Sequence, residues 1–261
     1  MTRPTFLFDL DGTLLADHTA LPGAVATVTA LTERGHRVLY ATNDAVLTVE
    51  QQVARLEAAG FPVTPDAVAT SASTAAHVLA DLAGGGAALR VLRLGAPAVE
   101  VEARSVDGVV FVDSAPADVV VAGLDTTLTY SALAGAVDAL HRGARFLATN
   151  SDPHFTTAEG RRMPGAGAVV AALETASGAT AEIVGKPGAL MFRLLLERHG
   201  VGETDVVVVG DADADVHAAR ALGVVAVRLP SAFGTVAGDV NLTRIDELSH
   251  WETPVAAGGT T

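Results

Sequence analysis

The most constraining stretch of the chain is Thr5-Phe6-Leu7-Phe8-Asp9-Leu10-Asp11-Gly12-Thr13, an apolar run that breaks off into two carboxylates, a glycine and a hydroxyl. A short apolar run of this kind reads as a strand buried on both faces, as in a parallel sheet. Open α/β sheets hold their ligands at the carboxyl ends of their strands, so a buried strand that delivers Asp9 and Asp11 to that edge points to chemistry. Gly12 lets the backbone turn away at once. Two acids two residues apart share a face of an extended chain, and an immediate turn can aim one side chain and the other residue's carbonyl at a common cation. A carboxylate beside a divalent metal stays ionised and can attack phosphorus, while the second acid protonates a leaving oxygen and later deprotonates water. The plainer reading is a strand that ends in an ordinary Asp-Gly turn.

The rest of the chain repeats the rhythm of apolar run, turn and helix. Ala24 to Arg34 reads as a helix stopped by Gly35, and His36 to Ala41 as the next strand, ending in Thr42-Asn43-Asp44. A hydroxyl and an amide at a strand's end can donate to phosphate oxygens; the competing reading is a helix cap, with Asp44 and Thr48 both preceding the helical stretch Val49 to Ala59. Phe61-Pro62-Val63 and Val68 to Ser71 continue the pattern, followed by a helix from Ala72 to Leu82 and a loose Gly84-Gly85-Gly86 turn. Short strands are expected at Arg90 to Leu94, Val109 to Val112 and Ala117 to Asp125. A helix is expected over Leu128 to Arg142, then a strand over Ala144 to Ala148 that closes in Thr149-Asn150-Ser151-Asp152-Pro153-His154. This echo of Thr42-Asn43-Asp44 makes Thr149 a rival phosphate-binding residue. After a helix from Ala166 to Ser177, the strand Ala181 to Val184 runs into Gly185-Lys186-Pro187, where a lysine can neutralise a phosphate. Leu190 to His199 is a helix. Asp205 to Val209 is nearly pure valine and ends in Gly210-Asp211-Ala212-Asp213-Ala214-Asp215, acids that would be costly there unless a cation or a helix N-terminus received them. A helix over Val216 to Leu222 and a last strand over Gly223 to Leu229 follow; the tail Glu252 to Thr261 reads as disordered.

The Asp9-Leu10-Asp11-Gly12-Thr13 motif, followed in order by Thr42, Lys186 and the late acidic run, resembles the haloacid dehalogenase-like hydrolases. Gly143 to Phe146, Thr149 to Pro153 and Pro164 to Gly167 resemble the cap of the NagD-like and p-nitrophenylphosphatase-like branch. The resemblance implies an α/β fold: a Rossmann-like, doubly wound parallel core over residues 1–79 and 183–261, with an inserted α/β cap over 80–182. It also implies a magnesium-dependent phosphatase acting on small phosphomonoesters. Asp9 would form the aspartyl-phosphate and Asp11 would be acid and base. Thr42, Asn43 and Lys186 would hold phosphoryl oxygens, and Asp9, the Asp11 carbonyl and Asp211 would hold Mg2+. Asp215 or Asp213 would assist the metal or cap the helix, and Asn150, Asp152 and His154 would face the leaving group. The chain departs from the branch in three places: Asp44 stands for an Asn and adds charge near the phosphate, the second acid of the late motif comes one residue early at Asp215, and Gly188-Ala189 stands for Ser-Pro.

Composition narrows the alternatives. At 261 residues the chain can bury a full core, and it has no cysteine, which removes disulfides and thiolate metal sites. Thirty acidic against 17 basic residues give a formal charge of −13, which disfavours nucleic acid and requires a local cation at any phosphate site. The mean hydropathy of +0.38 comes from Ala and Val without a run long enough for a membrane span, and the N-terminus shows no signal-peptide pattern. A cytoplasmic enzyme with a small phosphorylated metabolite as substrate is expected, with no nucleic-acid or membrane partner and a homodimer left open. A receiver-like phospho-aspartate signalling protein and a catalytically silent binding protein on the same fold are the two rival readings.

Overall fold

The computed structural model describes residues 3–84, 86–157, 160–231 and 234–251. Its core is a six-stranded, all-parallel sheet in the order Val240–Asn241, Val225–Arg228, Val206–Gly210, Thr5–Phe8, Arg37–Thr42, Val68–Thr70. Thr5–Phe8 sits in the middle, and the chain leaves it toward Arg37–Thr42 on one side while Val206–Gly210 flanks it on the other. A sheet whose strand order reverses at such a point opens a crevice at the strands' carboxyl ends. Phe6, Leu7 and Phe8 are fully buried and Val206 to Val209 nearly so, which accounts for their unbroken apolar sequence. Each such side chain contributes about 1.5–3 kcal/mol by leaving water.

A second all-parallel sheet of five strands runs Glu182–Ile183, Arg145–Ala148, Val119–Ala122, Leu89–Leu94, Val109–Val112. The helix Ser71–Ala83 packs on it: Ala72, Ala75, Ala76 and Leu79 share one apolar cluster with Val91, Val119, Val121, Leu147 and Val184. The same helix also touches Val68–Thr70 of the first sheet and the helix Leu190–Arg198, so it lies where the two sheets' layers meet. Residues 182–183 pair in the second sheet.

Several elements differ from their sequence-based expectation. Phe61 to Val63 is irregular, and Thr48, not Asp44, caps the helix Val49–Ala58, its hydroxyl accepting from the Gln51 N–H while the Gln51 side chain bonds back. The helix after the valine strand starts at Asp213, not Val216. The final strand is the two-residue Val240–Asn241, too short to carry a periodic signal. His154 lies not in a loop but in a hairpin, His154–Thr156 paired antiparallel with Arg162–Pro164. The tail from Glu252 lies outside the described residues. Among the described residues no helix is long and apolar enough to cross a membrane.

Candidate active site

Asp9 leaves the central strand at its carboxyl end, where its N–H still donates to the Val209 carbonyl at 2.9 Å, and only 8% of the residue is exposed. From the neighbouring crossover comes Lys186, 3% exposed, whose Nζ donates to Asp9 Oδ1 at 2.5 Å, to Asp215 Oδ1 at 2.7 Å and to the Ala41 carbonyl at 3.2 Å. Asp215, 1% exposed, also accepts from the Ala212 N–H at 3.0 Å through Oδ2, so the same carboxylate caps its helix and pairs the lysine. Asp211 accepts from the Thr13 hydroxyl at 3.2 Å. The carboxylates of Asp9, Asp211 and Asp215 each present an oxygen within 4.8 Å of the others.

Two glycines make this crowding feasible. Gly12 has φ +88°, and a Cβ there would stand 2.5 Å from Asp211 Oδ2; a Cβ on Gly210 would stand 2.2 Å from Asp215 Cγ. Any side chain at either place would push an acid out of the cluster.

The electrostatics follow from three carboxylates meeting one ammonium in a buried place. Burial raises the Asp9 carboxyl well above its ordinary range; Lys186 pulls it down, and Asp215 and Asp211 push it up again. Asp211 is raised too, first by burial and then by Asp215. For Lys186, burial opposes the charge, but Asp215 and Asp9 outweigh it and the ammonium holds its proton more tightly than usual. The surplus of buried negative charge, with oxygen donors only, fits a hard divalent cation such as magnesium. Asp9, Asp211 and Asp215 are the acids close enough together to hold it.

Other expected residues are placed differently. Thr42 is buried, and its hydroxyl oxygen accepts from the Asp44 N–H at 3.0 Å, which leaves its own proton to donate. The Asn43 side chain has little to give a phosphate: Nδ2 donates to Asp152 Oδ2 at 3.0 Å and to the Lys186 carbonyl at 3.0 Å, while Oδ1 accepts from the Lys186 N–H at 2.8 Å. Asn150, expected against the leaving group, is 5% exposed, and its amide donates to the Asn43 carbonyl at 2.8 Å. Asp152 does reach the site's margin, and burial raises its carboxyl while Asn43 and Lys186 lower it. Asp213 turns away: its oxygens accept from Arg228 Nη1 at 3.2 Å and from the N–H groups of Thr235 at 2.8 Å and Val236 at 2.9 Å, which ties down the loop after Val225–Arg228. Thr149 ends a strand of the second sheet, one strand removed from the edge, which leaves the Thr42 position as the one beside Asp9. The Asp11 side chain, half exposed, is met by Arg55, a residue without a sequence signal beyond its being basic in the last turn of an amphipathic helix.

A family model for haloacid dehalogenase-like hydrolases matches residues 6–125, and a HAD-hydrolase-like model matches residues 183–234. The chain belongs to the haloacid dehalogenase-like hydrolases. Within them it falls among NagD-like and p-nitrophenylphosphatase-like phosphoric monoester hydrolases. It is 31% identical over 212 residues to an acid sugar phosphatase of Staphylococcus saprophyticus, covering 81% of this chain and 80% of that protein. It is 37% identical over 218 residues to a D-glycerol 3-phosphate phosphatase of Mycobacterium tuberculosis, covering 83% of this chain but only 60% of that longer protein. A crystal structure of a glycerol phosphate phosphatase from that organism in complex with magnesium matches with a TM-score of 0.77 at 36% identity, over 87% of this chain and 68% of that one. A 4-nitrophenylphosphatase of Thermotoga maritima matches with a TM-score of 0.85 at 30% identity, over 95% of this chain and 96% of that one.

Proposed function

We propose that this chain hydrolyses small phosphomonoesters, polyol or sugar phosphates by the analogy of its relatives, through an aspartyl-phosphate on Asp9. The observation that carries the reading is the buried Lys186 Nζ at 2.5 Å from Asp9 Oδ1, which sets a positive charge against one carboxylate at the end of the central strand beside Asp211. Asp9 attacks phosphorus in line, the bond to the leaving oxygen breaks, and a proton passes from Asp11 to that oxygen. Water then attacks the aspartyl-phosphate, returns a proton to Asp11 and releases phosphate, so ester and water become alcohol and phosphate. Lys186 and the Thr42 hydroxyl neutralise or donate to phosphoryl oxygens throughout, and the reaction needs little else than such positioning. A magnesium ion bound by Asp9, Asp211 and the Asp11 carbonyl would supply charge neutralisation for the approach of two anions. Activity is expected to vanish in chelator, return with magnesium and be inhibited by calcium, whose looser coordination misplaces the nucleophile. Full turnover of p-nitrophenyl phosphate in chelator would overturn the metal assignment.

The second sheet, with the hairpin that carries His154, is read as the cap that selects the ester. Asn150 belongs to its anchoring rather than to selection, which leaves Asp152 and His154, the latter near enough to lower the Asp152 carboxyl. His154→Ala is expected to change relative kcat/KM among sugar phosphates, glycerol phosphate and phosphoglycolate while leaving the cation requirement intact. A uniform fall across all esters would remove His154 as a selector. A cytoplasmic location and a small phosphorylated metabolite as the partner complete the reading; a homodimer is compatible with it.

A further inference from the structure

Asp11 does not stand alone at the mouth of the site. Arg55 Nη2 donates to its Oδ1 at 2.5 Å and Nη1 lies 3.4 Å from its Oδ2, a forked pairing that fixes the plane of the carboxylate. The Arg55 side chain is only 7% exposed, against 50% for Asp11, so the guanidinium is the buried anchor and the exposed carboxylate is the member tied to it. Its remaining N–H groups are also engaged: Nε donates to the Asp17 carbonyl at 3.0 Å, Nη2 reaches the same oxygen, and Nη1 donates to Gln52 Oε1 at 3.3 Å. Asp17 belongs to the short turn between Leu15–Ala16 and Thr19–Ala20, so Arg55 fastens that hairpin as well.

Gln52 is fully buried, and its Nε2 donates to Asp44 Oδ2 at 2.7 Å, while Asp44 Oδ1 accepts from the Val46 N–H at 2.7 Å. The polarity of this relay is fixed by chemistry: a guanidinium only donates and a carboxylate only accepts, so the amide between them has one permitted orientation. Asp44 thereby gains a purpose. Burial raises its carboxyl, and the nearby Asp11 raises it further, but Arg55 opposes both. An Asn at position 44 would accept or donate and would leave the Gln52 amide free to flip.

We propose, on the footing that Asp11 is the acid and base of the reaction, that Arg55 is its positioning residue, held by the Asp44–Gln52 relay and setting where the Asp11 carboxyl stands when the leaving oxygen needs its proton. Arg55 touches neither the phosphoryl group nor the ester; it acts through Asp11.

The test compares kcat/KM for glycerol phosphate, whose alkoxide must be protonated to leave, with that for p-nitrophenyl phosphate, whose phenolate leaves without a proton. Arg55→Gln is expected to lower the glycerol phosphate value about 10–100-fold, part of the ~10²–10⁴ that acid–base catalysis supplies, and to change the p-nitrophenyl phosphate value little. Arg55→Lys, which keeps the charge but loses the fork, should show the same split to a smaller degree and serves if the glutamine variant does not fold. Asp11→Asn, which also loses the base of the second step and is therefore followed by single-turnover release of the leaving group, should show the largest split. If Asp11→Asn splits the two substrates and neither Arg55 variant does, or both substrates fall by one factor in the Arg55 variants, the positioning role is overturned. If Asp11→Asn itself shows no split, the acid–base reading of Asp11 falls instead.

Discussion

Asp9→Asn is expected to abolish turnover, on the order of 10⁴–10⁶-fold, with little change in thermal stability. An amide oxygen at that position still accepts from Lys186, and the lysine keeps its second partner, Asp215, at 2.7 Å. What disappears is one of three crowded negative charges, and the Asp9 carboxyl is raised by burial and by both neighbouring acids, so losing its charge relieves repulsion in the fold while removing the group proposed to attack. Initial rates with p-nitrophenyl phosphate beside a thermal scan are the measurement. Retained hydrolysis would end the nucleophile assignment, and gross unfolding would show that the carboxylate carries structural weight that the geometry does not give it.

The second large effect belongs to Lys186→Met. Removing the ammonium leaves Asp9 and Asp215 buried without their partner, a loss of about 3–5 kcal/mol at neutral pH. In a chain of this size that lowers the melting temperature by about 6–20 °C. The pH dependence has a definite direction. With Lys186 gone, the Asp9 carboxyl, already raised by burial above its unfolded value near 3.8, loses its main lowering influence and rises further, so the folded state binds more protons than the unfolded chain does. Stability then is highest below that unfolded value and falls as pH rises through the folded value. Denaturant melts at pH 5 and pH 8 should therefore show a larger gap between variant and parent at pH 8. An equal gap at both would mean that Lys186 does not offset the acids.

The four strand-end motifs were legible because a strand buried on both faces must be apolar along its whole length, as Phe6 to Phe8 and Val206 to Val209 are, and its end is then marked by the first polar residue. Sequence order placed Asp9, Thr42, Lys186 and Asp211 at one crevice. It was mute on contacts across long separations. Asn43 reads as a phosphate donor until its amide is seen to be used up by Lys186 and Asp152, 143 and 109 residues away. Arg55, 44 residues from Asp11, sits on a helix whose pattern speaks only of which face is buried. Asp213 and Asp215 are indistinguishable as alternating acids, and only the extra helical turn from Asp213 sends one to Lys186 and the other to the loop at Thr235. Periodicity carries information about a residue's own element, and these roles depend on another element's position.

The bonds at Asn43 bear on how far the molecule can be taken apart. Its carbonyl receives Ser71 and Asn150, its amide holds Asp152, and the same amide brackets both backbone groups of Lys186. A core excised from its insertion would keep Asp9, Lys186 and Asp211 in sequence yet lose three of the ties that hold the loop between them. The insertion is thus part of the scaffold that aims the lysine, and exchanging it for a foreign one requires the donor to bring its own counterparts of Ser71, Asn150 and Asp152.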